Sequence, residues 1–104
     1  MTLAELIKRL QVLAKELKVT LVPFQSNHEG ELVDMMHKHI DSADGALLNP
    51  AGLTQFGVSL HDAIKTMPYP VIEVHISNRH AREQAYCHFS PALVANLEKN
   101  WKRK

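Results

Sequence analysis

The chain has 104 residues, a net charge of +1 and 45% apolar side chains, which is the composition of one small globular domain and not of a disordered segment. This charge balance excludes a general attraction to nucleic acid or to anionic membranes. The single cysteine, Cys87, excludes an internal disulfide, and the lack of a long apolar run or a signal-peptide pattern predicts a cytoplasmic protein.

Helix-like and strand-like patterns alternate from the start of the chain. Residues 2–17 predict an amphipathic helix that begins with a capping box of Thr2 and Glu5. Residues 18–26 (KVTLVPFQS) then predict a strand, in which Pro23 indicates an edge position or a bulge. The apolar face of the helix is formed by Leu3, Ile7, Leu10, Leu13, Ala14 and Leu17.

The same alternation continues to the end of the chain. Helices are predicted over residues 27–42, 51–67 and 90–104, the last with Ser90 as N-cap and Pro91 in its first turn. Two short buried strands lie between them, GALLNPA and PVIEVHIS. The residues expected to face inward are Leu32, Met35, Met36 and Ile40, then Leu53, Phe56, Leu60 and Ile64, and finally Leu93, Val94, Leu97 and Trp101.

Strands that are separated by helices predict right-handed crossovers and a parallel sheet that is covered on both faces. Functional sites in such sheets lie beyond the carboxyl ends of the strands. Three polar segments follow predicted strand ends, and we expect them to converge: Ser26–His28, Asn49–Pro50 and His75–Asn78.

Glu73 and His75 are the first candidate catalytic residues. Because they are two residues apart on a strand, their side chains lie on the same side. A carboxylate beside an imidazole fixes its tautomer and raises its basicity, so His75 could act as a general acid or base. The alternative is a buried histidine that is paired for purely structural reasons.

The other polar residues near the strand ends each have two interpretations. The Asn49 amide could hold a water or a substrate hydroxyl, or it could serve the turn before Pro50. Ser77 and Asn78 could bind an anion, or cap a turn. Arg82 suits a carboxylate substrate, although a surface ion pair with its neighbour Glu83 is the alternative.

No metal site is predicted. His37 and His39 fall on different faces of a helix, and Cys87 has no second ligand at metal spacing. The chain has no phosphate-binding loop, nucleophile elbow or zinc motif. The basic end KNWKRK is typical of a solvated helix terminus, with contact to nucleic acid as the alternative.

Several sequence motifs of the chain resemble those of a known protein family. The segments FQSNHEGELVD, NPAGLT, DAI, PVIEVHISNRHARE and HFSP have the order and spacing of type II 3-dehydroquinate dehydratases, over roughly residues 2–91. The resemblance implies one flavodoxin-like α/β domain over residues 1–104, with helices on both sides of a parallel sheet. It also implies a dodecamer of trimers that converts 3-dehydroquinate to 3-dehydroshikimate, in the shikimate or quinate pathway, without a metal or an organic cofactor.

The resemblance also implies roles for individual residues. His75 matches the general acid that protonates the leaving hydroxyl, and Glu73 matches the carboxylate that orients it. Asn49 matches a substrate-binding asparagine, and Ile76 and Ser77 match the segment that receives the substrate carboxylate and hydroxyls. The remaining matches are Arg82, near the catalytic tyrosine, and Asp62, which can contact a neighbouring subunit.

The departures from the family lie at both ends and within the substrate pocket. The sequence starts after the first strand and the lid that carries the tyrosine base, and a short basic helix follows Pro91 in place of a strand and a long helix. Gln55 stands where the family has a substrate-binding histidine, and Tyr86 where it has an arginine. Neither Tyr69 nor Tyr86 is expected to replace the base.

Three consequences follow from these departures. We expect about three strands and weak or absent activity. We also expect either an oligomer that covers the unpaired strand edges, with or without exchanged elements, or a rearranged small sheet. The alternatives are a dehydratase completed by another chain, and a non-catalytic binding or assembly protein. The resemblance implies a small polyhydroxylated carboxylate, similar to dehydroquinate, as the ligand of a binding or catalytic form, whereas an assembly partner needs no such ligand.

Overall fold

The structure, a computed structural model, describes residues 1–51, 53, 57–75 and 95–100. A parallel pair of strands with flanking helices within these ranges confirms the predicted α/β class. The helices are α1 (Leu3–Glu16), α2 (Glu29–Lys38) and α3 (Val58–Thr66), and the strands are β1 (Ala46–Leu48) and β2 (Val71–Glu73). Residues 95–100 are also helical. No described helix is both long enough and apolar enough to span a bilayer.

Helix α1 begins with the predicted capping box. The Thr2 backbone N–H donates to Glu5 Oε2 at 2.8 Å, and the Glu5 backbone N–H donates to Thr2 Oγ1 at 3.2 Å. The predicted apolar face is present, but Ala14 is the buried residue of this helix, whereas Leu13 and Leu17 are 47% and 63% exposed. Most of the apolar face of α1 is therefore open to solvent.

The strand predicted at residues 18–26 is wrong for the described part of the chain. Lys18 takes a left-handed conformation with φ of 59°, and residues 19–26 belong to no strand. Val19, Val22 and Phe24 are each about half exposed. The alternating pattern indicates β propensity, but a strand also needs a hydrogen-bonding neighbour, and β1 pairs only with β2 among the described residues.

Strands β1 and β2 form a parallel pair, joined through α3 as the crossover connection. Ala46 lies opposite Val71 and Leu48 opposite Glu73. The Ala46 backbone N–H donates to the Pro70 carbonyl at 2.9 Å, and the Val74 backbone N–H donates to the Leu48 carbonyl at 2.8 Å. The predicted parallel pairing is therefore confirmed for these two strands, in a ladder of three residues each.

The hydrophobic core lies between this sheet and helices α2 and α3. Met36, Leu60 and Ile64 are buried there as predicted, whereas Ile40 lies beyond the end of α2 and is 38% exposed. The other face of the sheet exposes Leu47, Ile72 and Val74. The helical residues 95–100 form hydrogen bonds with the segment that connects α3 to β2.

Asn96 is fully buried and bonds to three parts of the chain. Its Oδ1 accepts the Val71 backbone N–H at 2.9 Å, and its Nδ2 donates to the carbonyls of Ile64 at 2.7 Å and Tyr69 at 3.1 Å. One side chain thus satisfies a carbonyl at the end of α3, a carbonyl of the connection and the first N–H of β2. Each such bond typically stabilises a fold by about 0.5–1.5 kcal/mol.

Tyr69 links the segment between α3 and β2 to helix α2. Its side chain is buried and its hydroxyl donates to the Met36 carbonyl at 3.0 Å. Burial raises the pKa of this phenol above its ordinary value of 10.0, because the anion would lose its hydration. The neutral phenol therefore contributes to stability in this position.

Replacing Tyr69 with Phe should lower the free energy of unfolding by about 1 kcal/mol at neutral pH, because it removes one buried hydrogen bond. The folded-state pKa is raised, so the stabilisation is fully present below pH ~10 and declines as the pH rises through the folded value. Urea unfolding from about pH 8 to pH 11 should show the difference between the two proteins shrinking. A difference that stays constant over this range would contradict the assignment.

Candidate functional site

The carboxyl end of β2 carries the Glu73–His75 pair. The His75 Nε2 atom hydrogen-bonds to Glu73 Oε1, and the two side chains are only 13% and 7% exposed. Their same-side placement follows from the strand alternation, since the exposed Ile72 and Val74 point to the opposite face. The structure therefore brings together the two residues that sequence analysis ranked first.

This hydrogen bond determines how the imidazole can handle a proton. When Nε2–H donates to the carboxylate, the lone pair of the neutral ring lies on Nδ1, and Nδ1 becomes the atom that takes up or releases a proton. The arrangement can serve as a general acid or base, and it equally satisfies two polar groups that are almost buried.

Asn49 follows β1 at the same edge of the sheet. Its Oδ1 accepts the Ala51 backbone N–H at 3.2 Å, and Ala51 has a positive φ of 49°. This is the turn role that the Asn-Pro sequence predicts. Because Leu48 lies opposite Glu73, the register places Asn49 level with Val74. Both Asn49 and His75 thus lie at the carboxyl edge, and substrate binding by Asn49 stays a prediction.

The polar loop before α2 is occupied with its own hydrogen bonds. Ser26 Oγ donates to the Glu31 carboxylate and accepts the His28 backbone N–H at 3.0 Å, while Gln25 Nε2 donates to Asn27 Oδ1 at 3.2 Å. These contacts fix the entry to α2. The predicted convergence of this loop with the ends of β1 and β2 stays a prediction.

The remaining candidates are dispersed. Asp62 lies exposed on α3, and its backbone carbonyl accepts the Thr66 hydroxyl at 3.1 Å. Its role at a subunit contact stays a prediction. Several residues singled out above lie outside the described residues: Gln55, Ile76, Ser77, Asn78, Arg82, Glu83, Tyr86 and Cys87. No group of His, Cys, Asp or Glu within the described ranges could hold a metal ion.

Tyr69 does not contribute to the site at the sheet edge. Its hydroxyl is bonded to the Met36 carbonyl in the core, at the amino end of β2, whereas His75 follows the carboxyl end.

Lys99, in the basic end of the chain, donates to the Thr66 carbonyl at 3.2 Å. Residues 101–104 lie outside the described part, so both interpretations of the basic tail stay predictions.

Sequence analysis missed the residue that anchors the strand of the site. Asn96 lies on the predicted last helix, beside the apolar face that its sequence pattern indicates. A usable signal was present: Asn96 and Asn100 are four residues apart and lie on one helical face beside Leu97. Two amides on the side of a helix that faces the core indicate hydrogen bonds to buried backbone.

Comparison with known proteins supplies a family for this geometry. The family model described as "Dehydroquinase class II" matches residues 1–98. The "3-dehydroquinate dehydratase" of Endomicrobium trichonymphae is 51% identical over 83 residues, which cover 80% of this chain and 58% of that protein. The protein with the same description from Leptothrix cholodnii is 40% identical over 95 residues, covering 90% and 64%.

A solved structure gives the same indication. The type II dehydroquinase from Butyrivibrio crossotus superposes with a TM-score of 0.81 at 28% identity, over 88% of this chain and 66% of that one. The present chain spans between half and two thirds of the length of the curated relatives named above.

The Glu73–His75 bond should be measurable as a coupling energy. In a double-mutant cycle of Glu73→Ala and His75→Ala, urea unfolding at pH 7 should give a coupling of about 1–2 kcal/mol, because both partners are nearly buried. The exposed pair Ser26 and Glu31 provides the matched control and should couple by less than about 0.5 kcal/mol. Equal coupling in the two pairs would contradict the proposed difference in burial.

Proposed function

Because the chain belongs to the class II dehydroquinase family, we propose that it keeps the general-acid half of a 3-dehydroquinate dehydratase site. His75 is the acid, and Glu73 holds its ring. The observation that carries this proposal is the nearly buried hydrogen bond between the two residues at the carboxyl edge of the sheet. The protein would act in the cytoplasm, within one domain of residues 1–104.

The proposed chemistry is a β-elimination of water. A base removes the proton next to the substrate carbonyl, an enolate forms, and the leaving hydroxyl departs as water after it receives a proton. His75 supplies that proton from Nδ1, while Nε2–H remains bonded to Glu73. The carboxylate keeps the ring in one orientation for this transfer.

The proposal assigns the base role to no described residue. The Tyr69 hydroxyl, the only phenol among the described residues, is buried and bonded to the Met36 carbonyl. Loss of a positioned base typically lowers a rate by ~10²–10⁴. We therefore propose that the chain alone has weak or absent dehydratase activity.

The substrate would be held by the polar groups around the same edge. Asn49 is the described member at this edge. Asp62, which lies exposed on α3, completes the set in the proposal together with Gln55, Ile76, Ser77 and Arg82. An amide, a hydroxyl and a guanidinium suit a small polyhydroxylated carboxylate, since they offer hydrogen bonds to hydroxyls and a charge partner for the carboxylate. No metal or organic cofactor has a role in this scheme.

A second candidate is a dehydratase that is completed by another chain. It is favoured by the exposed apolar side of the sheet, where Leu47 is 69% and Ile72 52% exposed. It is also favoured by residues 19–26, which belong to no strand, and by β1, which has a described neighbour on one edge only. Unpaired edges of this kind favour association, and the proposed assembly is a homo-oligomer.

The dehydratase proposal is tested by adding 3-dehydroquinate and following the conjugated product by ultraviolet absorbance. The chain alone should turn over far more slowly than about one per second. His75→Ala should reduce any residual rate by at least ~10², whereas replacement of the exposed His37 on α2 by Ala should leave it unchanged. A rate of about one per second would contradict the weak-activity proposal, and an unchanged rate in His75→Ala would remove His75 from the mechanism.

Assembly is tested separately by analytical ultracentrifugation. Leu47→Lys should shift the chain toward the monomer, because it places a charge on the exposed side of the sheet. Val58→Lys is the matched control, since Val58 is 71% exposed but lies on α3. A monomer at every concentration of the unmodified chain would contradict the oligomer, and equal effects of the two substitutions would contradict the choice of surface.

A further inference from the structure

We infer that Asn96 is a positioning residue for the Glu73–His75 pair, because it fixes the register of the strand that carries both residues. The inference rests on the proposed function only for the meaning of the pair in catalysis. Its physical basis is the set of hydrogen bonds that the Asn96 carboxamide makes around the amino end of β2.

The first step is the direction of the Val71 backbone N–H. Pro70 and Val74 make hydrogen bonds to β1, so these alternate positions of the strand face that neighbour. The N–H of Val71 therefore points to the opposite edge. There Asn96 Oδ1 accepts it at 2.9 Å, and both residues are fully buried. The side-chain carbonyl thus takes the place of an acceptor on a neighbouring strand.

The second step is that Asn96 itself has a fixed orientation. Its Nδ2 donates to the Ile64 carbonyl at 2.7 Å and to the Tyr69 carbonyl at 3.1 Å. Acceptor and donors of one planar amide are therefore engaged at the same time. The amino end of β2 cannot shift along its axis without leaving a buried N–H or carbonyl unpaired, which is unfavourable.

The third step links register to the site. The ladder between β1 and β2 has only three residue pairs, Ala46–Val71 to Leu48–Glu73, and so short a ladder specifies register weakly. A slip by one residue would move every side chain of β2 to the other face of the sheet. Glu73 and His75 would then exchange places with the exposed Ile72 and Val74. A fixed Val71 prevents this slip.

Asn100 supplies a matched control for the experiment. It lies one turn further along the helix, is also buried at 3% exposure, and donates to the carbonyls of Met67 and Tyr69 at 3.2 Å. It shares the burial and the loop contacts of Asn96 but does not bond to the N–H of β2. Its loss should therefore weaken the fold without releasing the strand.

The test compares Asn96→Ala and Asn100→Ala by nuclear magnetic resonance. In Asn96→Ala, the Val71 amide should exchange with solvent at least ~10-fold faster relative to the most protected core amides, and the His75 Nε2–H signal of the bonded ring should be lost. Asn100→Ala should lower the unfolding midpoint but keep both signals. Equal loss of the His75 signal in both variants, or its retention in both, would overturn the inference.

A measurement on the unmodified chain covers the case in which Asn96→Ala does not fold. The Val71 amide should then be as protected from exchange as the Ile72 amide of the same strand. Exchange at the rate of an unstructured peptide would overturn the inference. None of these readouts requires turnover, so absent dehydratase activity would count against the proposed function and leave the role of Asn96 standing.

Discussion

The carboxamide of Asn96 is the interaction on which the described structure depends most. A parallel strand needs hydrogen-bond partners on both edges when it is buried, and β2 has a described strand on one edge only. Asn96 gives the first N–H of that strand an acceptor on the other edge, and it joins the strand to the end of α3. Tyr69 extends the connection to α2 through the Met36 carbonyl. The same group of hydrogen bonds therefore holds the core elements together and fixes the strand that carries Glu73 and His75.

The hydrogen bonds of Asn96 hold the amino end of β2, and the proposed catalytic pair lies at the opposite, carboxyl end of the same strand. The amino end of the strand is buried and held on several sides, whereas the carboxyl end carries Glu73 and His75 with a small exposed fraction. The hydrogen-bonded amino end defines the face of the sheet on which the pair lies. In the proposed function, this pair is the acid half of the site.

Local pattern predicted most of what local forces determine. The helical spacing of Leu60 and Ile64 and the capping box of Thr2 and Glu5 were confirmed, because these features depend on neighbours within one or two turns. The same-side placement of Glu73 and His75 follows from strand alternation alone. The prediction of a strand at residues 18–26 was wrong because strand pairing depends on a distant neighbouring strand that the local pattern does not specify. The i, i+4 spacing of Asn96 and Asn100 indicates only that the helix has a polar face, whereas the backbone groups that Asn96 meets lie 25 to 32 residues away and depend on the tertiary fold.

The central claim is that a side-chain amide fixes β2 and, through it, the site. The most direct measurement is the scalar coupling across the hydrogen bond between the Val71 backbone nitrogen and the side-chain carbonyl carbon of Asn96, recorded on isotope-labelled protein. The account predicts a resolved coupling, as expected for an N–H···O bond of 2.9 Å. A coupling from Val71 to a backbone carbonyl instead, or none to any acceptor, would contradict it.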